Sequence, residues 1–249
     1  MPSFAHASFI CLDCETTGLD PLQDHIIEIA VVEFQGDKEL TRFETLINPG
    51  CPISETSMAI HHITDDMVQG KPKVEDILPK IFALIGKKII IGHGIGLDIA
   101  FLKEAAKKHT IACTIDQNPT LDTLRMARLY GESPTNSLEK LREHFNIEAE
   151  GAHRAMNDVI VNIEVFRFLA SSYRNTEQLF EKLKHPIALK AMPLGKHKGR
   201  PFSEIPQEYL RWAANKDFDQ DLLFSIRLEL KKRKKGNVFG QAANPFHDL

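Results

Sequence analysis

Two carboxylates, Asp13 and Glu15, stand two residues apart at the end of an apolar run, in S-F-I-C-L-D-C-E-T-T-G-L-D. Side chains two apart on a strand point to the same face, so the pair would lie side by side, where repulsion disfavours ionising both. A cation relieves that repulsion, and a metal ion is the chemistry the pair invites. Two more acids are suitably placed. Asp98 opens a helix after the apolar K-K-I-I-I and the loop G-H-G-I-G. That is the carboxyl end of a strand, where open α/β sheets gather ligand sites. Asp158 lies early in a late helix, in H-R-A-M-N-D, five residues after His153. On one continuous helix such an offset separates two side chains by about 140°. His153 and Asp158 share a site only if His153 lies in the approach loop.

Other chemistries fit less well. Cys11 and Cys14 form a C-x-x-C, but on a strand they face opposite sides and no second pair completes a zinc site. They read as small buried hydrophobes. G-H-G-I-G lacks the G-x-G-x-x-G spacing of a dinucleotide loop, and no G-x-S-x-G, H-E-x-x-H or G-x-x-x-x-G-K-[ST] occurs.

The elements that must position the acids follow from the pattern. A-S-F-I-C-L-D-C-E-T-T, H-I-I-E-I-A-V-V-E-F-Q and E-L-T-R-F-E-T-L-I-N-P are β-rich runs, the last two joined by a tight Gly-Asp-Lys turn. They predict an antiparallel three-stranded start. Helical apolar spacing follows in V-E-D-I-L-P-K-I-F-A-L-I-G, then a buried strand at 87–91 and a helix from Leu97. Residues 119–130 are predicted to begin with a short strand or turn and continue as a helix, and further helices are predicted at 136–145 with Asn136 or Ser137 as N-cap, and at 157–173. Strands first, then alternating strand and helix, predict an α/β fold: a mixed sheet with helices on both faces. Residues 175–187 read as a helical linker, 188–234 as a small C-terminal module, and 235–249 as a disordered tail.

The ordered set D-x-E-T-T-G, Asp98 at a helix start, and H-x-x-x-x-D resembles the DEDDh 3′→5′ exonucleases. This is the family of the proofreading epsilon subunit of DNA polymerase III, on a ribonuclease H-like fold. The resemblance covers residues 6–174 and extends to I-H-H-I-T at 60–64, L-D-T-L-R-M-A-R at 121–128 and S-L-E-K-L at 137–141. The family usually has Asn four residues before the second-motif Asp and an aromatic just before it. Here these are Gly94 and Leu97, which implies altered loop packing.

The resemblance implies a mechanism and a set of roles. Asp13, Glu15 and Asp158 bind the metal that holds the attacking water, Asp13 also bridges to a second metal, and Asp98 supports that one. His153, if neutral, takes the water's proton as general base. Oxygen-only ligands suit Mg²⁺ or Mn²⁺, two ions per site, rather than zinc. Thr16 and Thr17 offer N–H groups and hydroxyls near the terminal nucleotide, Leu19 packs on the terminal base, and His61 contacts the nucleotide. The implied reaction hydrolyses DNA from the 3′ end and releases 5′-mononucleotides. Single-stranded DNA or DNA 3′ ends are the implied partners. RNA trimming, or service as a polymerase-bound proofreading subunit, is the alternative. A non-catalytic adaptor would need neither the four acids nor His153.

The net charge is −3, but residues 1–181 carry −10 and residues 182–236 carry +8. The basic segment resembles the C-terminal module of exonuclease X-like proteins, with G-K-H-K-G-R at 195–200. Lys196, Lys198 and Arg200, with His197 as a fourth potential charge, suit phosphates. Tyr209 and Trp212, three apart on a helix beside that loop, suit base stacking on single-stranded nucleic acid, but with Leu210 they read first as the module's core. K-K-R-K-K at 231–235 reads as a solvated helix end that also meets phosphate. No apolar run approaches a bilayer span, and the N-terminus lacks signal-peptide character. The expected location is cytoplasmic, without a membrane.

Overall fold

The computed structural model describes residues 4, 6–132, 135–148 and 154–242, with the backbone alone over 235–242. The chain packs as two compact units, Met1–Lys182 and Leu183–Leu249.

The first unit begins with three antiparallel strands, β1 (Ser8–Thr16), β2 (Ile26–Gln35) and β3 (Lys38–Leu46). The β2–β3 hairpin closes through Gly36 and Asp37, with Gly36 at φ +56°. Helices α1 (Glu55–His61), α2 (Asp65–Val68) and α3 (Val74–Ile85) follow. Strand β4 (Ile89–Gly92) pairs parallel with β1, and α4 (Gly96–Lys108) leads to β5 (Thr120–Asp122), parallel to β4. Helices α5 (Thr123–Tyr130), α6 (Leu138–His144), α7 (Ala155–Ala170) and α8 (Thr176–Leu183) complete the order. The sheet runs β3-β2-β1-β4-β5, the mixed α/β architecture that the pattern predicts.

Alternation along β1 decides what each face holds. Ile10 and Leu12 join Ile29, Val31, Leu78, Ile81 and Phe101 in a core beneath α3 and α4. Phe9 and Cys11 face α7: the Phe9 and Phe166 ring centroids are 5.1 Å apart, and Cys11 Sγ lies 3.7 Å from the Val159 carbonyl. Asp13 and Glu15 continue that second face.

Helix α8 falls within residues 175–187, read as a helical linker, and the boundary between the two units lies near its end. Leu179 is fully buried and Thr176 has no exposure, so most of α8 belongs to the first unit's packing. Helix α6 takes Ser137 as its N-cap, accepting from the Lys140 N–H at 3.4 Å.

The second unit contains α9 (Gln207–Ala213) and α10 (Gln220–Ala242). They close on Met192, Phe202, Ile205, Leu210, Ala213, Leu222 and Ile226. Helix α10 continues to Ala242, past residue 235, where the tail is expected to begin. Residues 243–249 lie outside the described residues. Arg233, assigned to a solvated end, is instead structural. It pairs with Glu229 at 2.7 Å and donates to the carbonyls of Phe202, Ser203 and Ile205, each at 2.9 Å. Among the described residues no helix is long and apolar enough to cross a membrane.

Candidate active site

The sheet brings three of the four predicted acids to one point. Carboxylate oxygens of Asp13, Glu15 and Asp158 lie within 4.8 Å of one another. Asp13 and Glu15 reach it from the carboxyl end of β1, and Asp158 from the first turn of α7. Asp98 approaches differently. Strand β4 pairs with β1 only as far as Cys11, which leaves the next N–H on that edge without a strand partner. The Cys14 N–H donates to Asp98 Oδ1 at 3.0 Å, so Asp98 satisfies a backbone group while remaining beside Asp13.

Electrostatics mark the cluster as short of positive charge. The Asp13 carboxyl is held well above its usual range by burial, then by Asp98, Glu15 and Asp158. Burial, Asp158 and Glu28 push Glu15 to about 8. Burial raises Asp98 to about 7, against the lowering effect of its hydrogen bond from Cys14. A divalent cation fits this donor set: every candidate ligand atom is a carboxylate oxygen, three converge, and a cation would relieve the repulsion that raises them.

Two residues that sequence reasoning missed hold α7 in place. Glu28 stands opposite Glu15 in the β1–β2 register and is buried. Its carboxylate accepts from Arg154 at 2.5–3.2 Å and from the Ala155 N–H at 3.0 Å. Helix α7 has no capping side chain of its own, so Glu28 caps it from the neighbouring strand. One turn beyond Asp158, buried Asn162 donates to Cys11 Sγ at 3.5 Å and accepts from Thr123 Oγ1 at 2.6 Å. The available signal was a single acid inside the apolar run I-I-E-I-A-V-V. His153 lies outside the described residues.

The loop after β1 is tightly cross-linked. Thr16 Oγ1 donates to the Gly18 carbonyl at 2.6 Å. The Thr17 N–H donates to the His25 carbonyl at 2.9 Å, and its hydroxyl lies between Asp24 and the His25 N–H. A Cβ on Gly18 would meet the Asp24 carboxylate at 2.4 Å, so a larger residue would have to displace that carboxylate from Thr17. Leu19 stands 79% exposed at the tip. His61 is buried at the end of α1, its Nδ1 accepting from the Ile63 N–H at 3.0 Å. Its Nε2 has no partner among the described residues, and burial lowers its pKa.

The altered second motif has a backbone solution. Gly94 sits at φ +71° and its N–H donates to Asp122 Oδ1 at 2.9 Å, while Asp122 also caps α5. Leu97 is exposed. Of the C-x-x-C pair, Cys11 is buried and faces α7, while Cys14, half-buried, packs toward the α3–α4 core, and burial raises both thiols.

The profile of the family described as "Exonuclease" (RNase_T) matches residues 10–166. The chain belongs to that family. Its sequence relatives place it among the DEDDh 3′→5′ exonucleases, a divalent-metal-dependent group of hydrolases. The DNA polymerase III epsilon subunit of Aquifex aeolicus is 32% identical over 160 residues, which are 64% of this chain and 78% of that protein. The PolC-type DNA polymerase III of Bacillus subtilis is 38% identical over 152 residues, 61% of this chain and 10% of that protein. The chain thus spans about a tenth of the PolC-type relatives. Exonuclease X in complex with 5′ overhanging duplex DNA shares the fold, at TM-score 0.57 and 24% identity, over 71% of this chain and 99% of that one. The zinc-bound Escherichia coli ExoI–ssDNA complex gives TM-score 0.63 at 19% identity, over 72% and 43% respectively. A second profile, described as a putative quorum-sensing-regulated virulence factor, matches residues 180–231.

Proposed function

We propose that this exonuclease trims DNA from the 3′ end and releases 5′-mononucleotides. Asp13, Glu15, Asp98 and Asp158 hold two Mg²⁺ or Mn²⁺ ions, and His153 is the general base. The convergence of Asp13, Glu15 and Asp158 within 4.8 Å, beside Asp98, carries the proposal. When bound, the ions neutralise charge on the phosphodiester and lower the pKa of water. The chain's residues do the rest. The Asp13–Glu15 face of β1 and the Asp158 turn of α7 fix the ligand oxygens. His153 accepts the proton of the attacking water. The bond from phosphorus to the penultimate 3′ oxygen breaks, so the terminal nucleotide leaves with its 5′ phosphate. Leu19 packs on the terminal base and His61 contacts the nucleotide, readings supported by Leu19's exposure and by the unpartnered Nε2 of His61.

Residues 6–174 are proposed as the nuclease domain and 188–234 as an accessory module. The +8 charge over 182–236 favours a nuclease that grips its own strand over one dependent on a polymerase.

The test uses single-stranded DNA and RNA of matched sequence, labelled at the 5′ end, with Mg²⁺ or chelator. A Mg²⁺-dependent ladder shortening from the 3′ end of DNA is expected, absent in Asp13→Ala. His153→Ala should cut turnover by about 10²–10⁴-fold and leave strand binding in place. Full activity of Asp13→Ala would sink the metal assignment, and faster trimming of RNA would move the substrate to RNA.

A further inference from the structure

The second unit carries an exposed tryptophan that its core does not use, beside a tyrosine that packs against that core with one side. Leu210 and Ala213 fill the inner side of α9, whereas Trp212 is 51% exposed and Tyr209 half-buried. Tyr209 packs against the core as assigned, whereas Trp212, three residues on, lies outside it and beside the exposed edge of Tyr209. The two ring centroids lie 5.2 Å apart. Cations flank them at both ends. Lys196 Nζ sits 5.0 Å from the Tyr209 centroid, and Lys216 Nζ 5.0 Å from that of Trp212.

The loop that brings Lys196 there is built rather than loose. Gly195 and Gly199 take φ of +71° and +82°. The Met192 N–H donates to the Arg200 carbonyl at 2.9 Å, and the Gly199 N–H to the Met192 carbonyl at 2.8 Å. His197 turns inward, its ring edge-on to Tyr209 at 4.5 Å. Burial, then Lys196 and Arg200, lower its pKa, so it braces the tyrosine instead of adding a fourth charge. Arg200 is partly engaged by the Glu204 carbonyl at 3.4 Å. Lys196, Lys198 and Lys216 form no ion pair among the described residues.

We propose that Tyr209 and Trp212, flanked by Lys196 and Lys216, with Lys198 on the same loop as Lys196, form a stacking platform for single-stranded nucleic acid. Unpaired bases lie on the rings, and their phosphates meet the lysines. A duplex hides its base faces and cannot use the platform in this way. The shared chemistry, a phosphodiester chain with unstacked bases, is common to DNA and RNA.

Trp212 is the only tryptophan of the chain, so its emission reports this surface alone. The full chain, held in chelator to stop hydrolysis, is titrated with oligo(dT), oligo(U) and an abasic strand, each about 12 nucleotides, within the span of single-strand sites. Quenching by oligo(dT) or oligo(U), and not by the abasic strand, is the expected result; the strand that quenches identifies the sugar. By anisotropy of a labelled oligonucleotide, Trp212→Ala should weaken binding about tenfold or more, with Trp212→Phe recovering part. Lys196→Ala combined with Lys198→Ala should weaken binding and flatten its salt dependence. Unchanged emission at saturating strand, or equal quenching by the abasic strand, would overturn the platform. Because hydrolysis is off, that failure is separate from failure of the nuclease reading.

Discussion

Glu28 shows how one residue can matter without touching substrate. Sequence alternation was enough to pair Asp13 with Glu15, and motif spacing to pick out Asp98 and Asp158. Glu28 was illegible because its role depends on a strand register set across residues 17–25, which places it opposite Glu15. Its charge is answered by Arg154, so it adds to the acidic cluster yet anchors the helix that carries Asp158. Glu28→Gln keeps the shape but removes the charge that binds Arg154 and caps α7. Arg154 is partly exposed, so the expected loss of unfolding free energy is about 1–3 kcal/mol, below that for a fully buried pair. Denaturant titration measures it. Turnover should also fall, by up to about a hundredfold, since small displacements of a reacting constellation are costly. Wild-type turnover in a folded Glu28→Gln protein would remove Glu28 from any positioning role.

Helix α7 and strand β1 together make the site, and only part of their partnership could be read in advance. The period of two along β1 correctly separates an apolar face from an acidic one. The late helix was legible from its apolar content, but not the polar bolts that fix its rotation. Asn162 is such a bolt: buried, it links α7 to β1 through Cys11 and to α5 through Thr123. In sequence it is one amide among apolar residues, and nothing there names its partners. Trp212 was misassigned for a related reason: on a seven-residue helix, the pattern does not say which aromatic faces inward. Asn162→Ala leaves Cys11 and Thr123 with fewer partners in a buried interface. The expected cost is about 1–3 kcal/mol of stability, read as a lower denaturation midpoint at unchanged slope. A midpoint within error of wild type would mean that packing alone sets α7.

For the whole molecule, the acidic site should couple stability to pH and metal. Without metal, Glu15 titrates at about 8 and Asp98 at about 7, against roughly 4 for both in an unfolded chain. Between those values the folded protein holds protons that the unfolded chain has released. Stability contributed by these two acids is therefore greatest below about pH 4 and is lost as pH rises through 7 and 8. Other carboxylates add their own slopes, so the decisive comparison is between variants and metal states at fixed pH. Calorimetry of the full chain in chelator should show the nuclease unit melting lower at pH 8 than at pH 5.5. Asp13→Asn should melt higher than wild type at pH 8, because one member of the repelling cluster is gone. Saturating Mg²⁺ should reverse that order. At a hundred times its dissociation constant a ligand contributes about 2.7 kcal/mol, or roughly 5–11 °C for a unit of this size. The gain should be larger at pH 8, where fewer protons need be displaced, and largely absent in Asp13→Asn. An equal Mg²⁺ effect at both pH values and in both proteins would place the ion elsewhere on the surface and leave the carboxylate cluster without its metal.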